Sequence, residues 1–200
     1  YRVIPPADIT PQQLYDDMMI LGEEDPSLNV EWLEATKEVH IRVMGKVQSE
    51  VISESVKNRF GYTVSFDAGR IMYKETISCG AEGIGHFEPL RHYAEVRLLL
   101  EPGEPDSGIV VENECSTDIL DRNYQQQALS VLNGYHHRGV LTGSPLTDVR
   151  ITLVGGRSNN NHTMGGDFRN ATIRADRQGL MKAEPLLLEP WYRVNLIISP

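Results

Sequence analysis

Proline and glycine punctuate the first 69 residues in a way that leaves few folds open. Thr10-Pro11-Gln12-Gln13 is a helix start: Thr10 can cap, Pro11 suits the first helical position, and Gln13 can reach back to the cap. Leu14, Met18 and Leu21 repeat at helical spacing, and Pro26 ends that element. Two short strands are predicted over 28–33 and 38–44, turning at Ala35-Thr36-Lys37. In the second, Val39, Ile41 and Val43 alternate with His40 and Arg42, so one face is buried and the other wet. Gly45 breaks this strand. A helix is predicted over 46–60 with Val47, Val51, Ile52 and Val56 inward; Gly61 stops it, and a strand follows over 62–66. With an opening strand at 2–4, the order is β-α-β-β-α-β, the split βαβ arrangement of ferredoxin-like domains.

Asp67-Ala68-Gly69 is the expected domain boundary. Beyond it, strands are predicted over 71–77, 93–100 and 109–114. Cys79–Leu90, with three glycines and a proline, reads as a surface loop. Glu101–Gly108 reads as an acidic hairpin turn. The helix after Asp118 carries Leu120, Tyr124, Ala128, Leu132 and Tyr135 on one stripe, with Tyr135 expected in the core, and Gly139 and Gly143 close it. A strand over 146–154 then leads into a glycine- and asparagine-rich excursion, Gly155–Gly166. A helix over 167–183 and a strand over 186–198 follow. That excursion is too polar to be buried and is expected to be floppy, a functional loop at the tip of a rigid support.

The composition narrows the function class. The net charge of −9 is uneven: residues 1–69 carry 6 Lys/Arg against 12 Asp/Glu. Between residues 157 and 177 the sign reverses, with Arg157, Arg169, Arg174 and Arg177 against Asp167 and Asp176. An acidic body argues against indiscriminate nucleic-acid binding, while a basic tip permits a placed contact with phosphates. No window approaches the roughly 18 unbroken apolar residues of a membrane span, and no signal peptide is evident. The two cysteines, Cys79 and Cys115, suit a reducing cytoplasm. The absence of an initiating methionine leads us to expect a fragment.

Catalytic and metal patterns are not assembled. Met44-Gly45-Lys46-Val47 lacks the upstream glycine of a phosphate loop and reads as a strand-to-helix turn. His136 and His137 are adjacent and so point to different faces of a helix. With Cys115, His86 and His92 they show no metal-ligand spacing. Glu112 and Glu114 alternate on one strand face, and nothing pairs a nucleophile with a base. The two loops remain. Ser158, Asn159, Asn160, Asn161, His162 and Thr163 offer hydroxyl, amide, imidazole and backbone donors suited to RNA backbone or to bases splayed out of a helix. The three asparagines tolerate left-handed backbone and can shape the turn.

Several stretches resemble domains III and IV of the translational GTPases, most closely the elongation factor G-like ribosomal protection proteins linked to tetracycline resistance. Glu23-Glu24-Asp25-Pro26 is similar to the start of the third domain, and Met44–Val51 to its Gly-Lys/Glu helix start. Tyr73-Lys74-Glu75-Thr76 resembles the Tyr-Arg-Glu-Thr run that opens the fourth. Gly139–Pro145 resembles its Gly-(Pro/Val)-Leu-x-Gly-x-Pro turn, and Gln178–Pro190 its closing helix and Leu-Leu-Glu-Pro signature.

The resemblance implies an α+β chain: a ferredoxin-like domain over 1–69, a βαβ domain like domain 2 of ribosomal protein S5 over 70–188, with a left-handed crossover, and over 189–200 the first strand of a truncated fifth domain. It implies a cytoplasmic, monomeric, ribosome-binding arm whose tip enters the 16S rRNA decoding region. The contacting residues would be Arg157, Ser158, Asn159, Asn160, Asn161, His162 and Thr163, with His86 and Arg91 of the neighbouring loop available to rRNA phosphates. GTP and Mg would belong to an upstream domain of the parent, so this fragment holds no cofactor, metal or catalytic residue. The Gly-Gly-Arg-Gly-Gln-Tyr-Gly loop of the elongation factor is replaced by Gly83–Leu90. The tip matches neither the translocating factor nor the well-known protection proteins. The expectation is therefore a divergent protection factor; the alternative is a housekeeping or rescue GTPase without drug release. A small-molecule kinase on the same architecture would need a glycine-rich phosphate loop.

Overall fold

The computed structural model describes residues 1–34, 36–191 and 195. The chain divides into two compact α+β units, over Tyr1–Ile71 and Met72–Pro190. Among the described residues no helix is long and apolar enough to cross a membrane.

In the first unit, β1 (Arg2–Ile4), α1 (Pro11–Glu24), β2 (Glu31–Leu33), β3 (Glu38–His40), α2 (Lys46–Phe60) and β4 (Ser65–Phe66) follow in order. The sheet runs β2-β3-β1-β4, antiparallel throughout, which is the ferredoxin-like arrangement. Thr10 Oγ1 accepts a hydrogen bond from the Gln13 amide at 3.2 Å, and Pro11 takes the first helical position. Leu14, Met18 and Leu21 are buried with Val3, Val39, Ile41, Ile52 and Val56. Gly61 ends α2 in the left-handed region (φ 82°), donating to Lys57 O.

One expectation on α2 fails. Val47 and Val51 point outward, 75% and 59% exposed, and the inward stripe is Ser49, Ile52 and Val56. Positions 47/51 and 52/56 lie about 140° apart around the helix, so one core cannot take both pairs. The expected strand at 28–33 is also shorter, because Pro26–Leu28 forms a 3-10 turn.

The second unit contains β5 (Lys74–Ile77), β6 (Ala81–Phe87), β7 (Ala94–Pro102), β8 (Ile109–Asn113), α3 (Arg122–Gly134), β9 (Val149–Ser158), α4 (Asp167–Lys182) and β10 (Pro185–Leu188). Its main sheet runs β6-β7-β9-β8; β8 and β9 are parallel and joined through α3, and β5 pairs with β10. The helices bury Ala128, Leu132, Phe168, Ala171, Ala175 and Leu180 against Val96, Leu98, Leu100, Ile151 and Leu153. Of the predicted strand over 186–198 only the start is seen, as the end of β10; residues 192–194 and 196–200, most of the segment 189–200, lie outside the described residues.

Two glycine-rich stretches read as loops are strands. Within 79–90, β6 spans Ala81–Phe87, and α4 lies directly on it. A Cβ at Gly83 would stand 2.0 Å from Ala175 O, and one at Gly85 1.7 Å from Ala171 O. These glycines admit a helix, not a turn. Side chains of α4 then cover the outer edge of β6. Arg174 Nη1 donates to His86 O (2.8 Å), the Ile84 amide donates to Gln178 Oε1 (2.7 Å), and Lys182 Nζ donates to Glu82 O (3.2 Å). Steps of four residues on a helix and two on a strand are each about 6–7 Å, so the two ladders stay in phase. Likewise β9 continues to Ser158. Gly155 and Gly156 pair with Arg97 and Val96, and a Cβ at Gly156 would meet Glu95 O at 2.6 Å.

Tyr135, expected in the core, is 40% exposed, since α3 ends at Gly134 and the chain leaves the helix there. Its neighbour His137 is the buried residue. His137 Nδ1 lies 3.0 Å from Asp176 Oδ2 and Nε2 lies 2.8 Å from Leu132 O, so both nitrogens face acceptors and only the charged ring satisfies both. Burial pushes the imidazole down, but Asp176 and then the Leu132 carbonyl outweigh it, and its pKa stands above 6.5. The pair's stabilisation is present below pH 6.5 and lost as pH rises through the folded value. The wild type is therefore expected to melt at lower temperature on the alkaline side. In His137→Gln that pH slope disappears, on a baseline lowered by about 3 kcal/mol for breaking a buried pair.

Candidate nucleic-acid interface

The tip begins later than its sequence indicates and is braced by hydrogen bonds of its own. With β9 ending at Ser158, the excursion is only Asn159–Gly166. Asn159 shapes it through its side chain, its Oδ1 accepting from the Asn161 amide at 2.9 Å. None of the three asparagines has positive φ; the left-handed residue is Gly166 (φ 96°), just before α4. Thr163 points inward, its hydroxyl accepting from the Asn159 amide (2.7 Å) and donating to Tyr93 O (2.7 Å). The Tyr93 amide donates to His162 O at 3.0 Å, which fastens the turn to the segment before β7. Asn160, Asn161 and His162 remain exposed, and Ser158 is half-buried. Arg157 is exposed on β9 opposite Glu95, outside the turn.

The second segment of the tip is residues 88–93. Arg91 is exposed with φ 63°, a conformation uncommon for a non-glycine residue. His86 belongs to β6, where its Nε2 lies 3.3 Å from Glu88 Oε2 and its ring meets Tyr93 edge-on. The two segments meet in a concavity of about 340 Å³ lined by Glu88, Arg91, His92, Tyr93, Asn159 and His162, among others. Arg91, Asn159 and His162 are thus brought together, while His86 and Arg157 stand beside the concavity.

Two residues of this region carry no site signal in the sequence. Asp167, at the first position of α4, is 3% exposed. Its Oδ2 accepts from the Met164 amide (2.8 Å), and its Oδ1 receives His92 Nδ1 (2.8 Å). The only hint is an acid opening a helix after Gly-Gly. Asp176 is likewise buried against His137. Both acids of the 157–177 stretch are spent internally. Among the described residues, Arg91, Arg157, Arg169, Arg174 and Arg177 have no carboxylate within salt-bridge reach. Arginines without a carboxylate partner thus accompany the tip on a chain that is acidic as a whole. Among the described residues no group of three His, Cys, Asp or Glu comes together as a metal site.

Comparison with known proteins matches both units. The family model for "Elongation factor G, domain IV" matches residues 69–184, and that for "Elongation Factor G, domain III" matches residues 3–68. Elongation factor G 2 of Syntrophus aciditrophicus (strain SB) is 32% identical over 198 residues, covering 96% of this chain and 29% of its own length. A crystal structure of a protein from Thermus thermophilus is similar with a TM-score of 0.63 and 25% identity, over 93% of this chain and 28% of that one. The chain thus spans under a third of the length of these two relatives.

Proposed function

Since the chain belongs to the elongation factor G family, with domains III and IV represented, we propose that it is the ribosome-contacting arm of a translational GTPase, the turn Asn159–Gly166 reaching the decoding region of the small subunit. The observation that carries this reading is the convergence of that turn and residues 88–93 on one polar, cation-bordered concavity. Exposed amides and an imidazole on a braced support suit contacts to folded RNA. In this reading the two units perform no chemistry; GTP hydrolysis resides in another domain of the parent. We further read the parent as a ribosomal protection factor against tetracycline, on the strength of the Gly-Lys-Val-Gln helix start and the replacement of the Gly-Gly-Arg-Gly-Gln-Tyr-Gly loop by Gly83–Leu90. A translation factor without drug release is the second reading, favoured by the 32% identity to a protein named Elongation factor G 2.

Co-sedimentation of the chain with small ribosomal subunits tests the first level. Replacing the exposed Asn160, Asn161 and His162 together by alanine, with the brace at Asn159 kept, is expected to weaken binding about tenfold or more, leaving thermal stability nearly unchanged. Equal binding by both would remove the tip from the interface. Expression of the full-length parent in a tetracycline-sensitive bacterium tests the second level. Growth at raised drug concentration, lost in the alanine variant, supports protection; ribosome binding without altered tolerance selects the other reading.

A further inference from the structure

One side-chain nitrogen at the tip concavity is fixed in place yet has no partner of its own. His92 Nδ1 lies 2.8 Å from Asp167 Oδ1, and that carboxylate is buried and held in turn by the Met164 amide. The ring edge-packs on Phe87, and its backbone amide donates to Pro89 O at 2.9 Å. Orientation and tautomer are both fixed: Nδ1 carries the proton toward the carboxylate. Nε2 has no hydrogen-bond partner among the described residues, and His92 lines the concavity with its side chain 40% exposed. With Nδ1–H directed at Asp167, the uncharged form of the ring presents a lone pair at Nε2, an acceptor rather than a donor.

Beside it stand two groups of opposite character. Arg91, a planar donor fork, is exposed and has no carboxylate partner among the described residues. The left-handed backbone of Arg91 sets it apart from the run of the loop. His162 lines the same space from the other segment, and Glu88, the one carboxylate lining it, has its Oε2 3.3 Å from His86 Nε2. A cationic fork beside a ring nitrogen held in one orientation matches one repeating chemical unit: the phosphate of a nucleic acid next to a ribose 2′-hydroxyl, which can donate to Nε2.

We propose that this concavity is a ribose-phosphate site that distinguishes RNA from DNA, with Arg91 on the phosphate, His92 Nε2 accepting from the 2′-hydroxyl, and Asp167 as the positioning residue that fixes the ring. The proposal rests on the tip-contact reading above and gives it a named chemistry.

The test is an NMR titration of the whole chain with two probes, the dinucleoside monophosphates ApA and dApdA. The expected result is saturable shifts confined to residues 88–93 and 159–163, with ApA about fivefold tighter, the worth of one added hydrogen bond. His92→Phe keeps the aromatic packing and is expected to erase the preference between the two probes; Arg91→Ala weakens both probes. Asp167→Asn is read by the ring ¹⁵N shifts: the Nδ1-protonated tautomer of the wild type becomes a mixture, and the preference falls with it. Equal affinity for the two probes, no saturable binding by either, or shifts lying on α4 instead of the two tip segments overturns the proposal. Equal affinity in a chain that still binds small subunits removes this site and leaves the proposed function standing. A clear ApA preference without subunit binding does the reverse.

Discussion

Gly85→Ala is expected to be the most damaging single-methyl change in the second unit. The added carbon would stand 1.7 Å from Ala171 O and 2.5 Å from the Ala175 amide, both backbone atoms of α4 that cannot rotate aside. Either α4 lifts from β6 or the strand buckles. Lifting also opens the edge contacts of Arg174, Gln178 and Lys182 and uncovers apolar area at Ala171 and Ala175. Overpacking of this kind costs about 3 kcal/mol or more, and here it lowers the melting temperature on the order of 10 °C. Gly134→Ala is the control: nothing lies within 4 Å of its Cβ, it sits at the end of α3, and its stability is expected to hold or rise slightly. Scanning calorimetry of the two variants separates the cases, and a Gly85→Ala chain as stable as wild type would contradict the packing account.

Glu75→Gln is the second large effect. Glu75 is fully buried, and its carboxylate organises the turn that follows α3. Leu141 N donates to Oε2 at 2.8 Å; Thr142 N (2.9 Å), Thr142 Oγ1 (2.8 Å) and Ser144 N (3.2 Å) converge on Oε1. Burial pushes the carboxyl up, but the amides of Leu141 and Thr142, the Thr142 hydroxyl and the Ser144 amide outweigh it and hold its pKa below 4.5. Its contribution is thus present above pH 4.5 and lost as pH falls through the folded value. Glutamine keeps the shape but turns an NH₂ toward amide donors, leaving one buried group unpaired at a cost of about 2–4 kcal/mol. At pH 7 the variant is expected to unfold well below the wild type. On acidification below 4.5 the wild type approaches it, while the variant loses no Glu75 contribution. Parallel acid-unfolding curves for the two would remove Glu75 from that role.

Where local chemistry decides, the sequence was readable. The cap at Thr10, the buried trio Leu14, Met18 and Leu21, and the span of α2 ending at Gly61 all follow from capping, periodicity and left-handed glycine. Where a distant element decides, it was not. Gly83, Gly85, Gly155 and Gly156 carry the composition of loops, yet their missing side chains make room for a helix or a neighbouring strand that no local window contains. The valines at 47 and 51 belong to the helix but not to the core. At the tip, Asn159 and Thr163 were legible as hydrogen-bonding residues but not as internal braces, because Tyr93 O is reached only through the fold. The Tyr-Lys-Glu-Thr and Gly139–Pro145 blocks stood apart in sequence; Glu75 makes them one structural unit. The partners of His92 and His137 on α4 were equally out of reach of spacing rules.

The proposed function turns on whether Asn159–Gly166 meets RNA of the decoding region. Hydroxyl-radical probing from an iron chelate on Asn161→Cys, in the full-length parent bound to small subunits, tests this most directly. The account predicts strand scission in the decoding-region rRNA from that position, and none there from a chelate at Glu104→Cys, exposed after β7 at the opposite end of the same unit. Scission elsewhere on the subunit, or the same pattern from both positions, would contradict it.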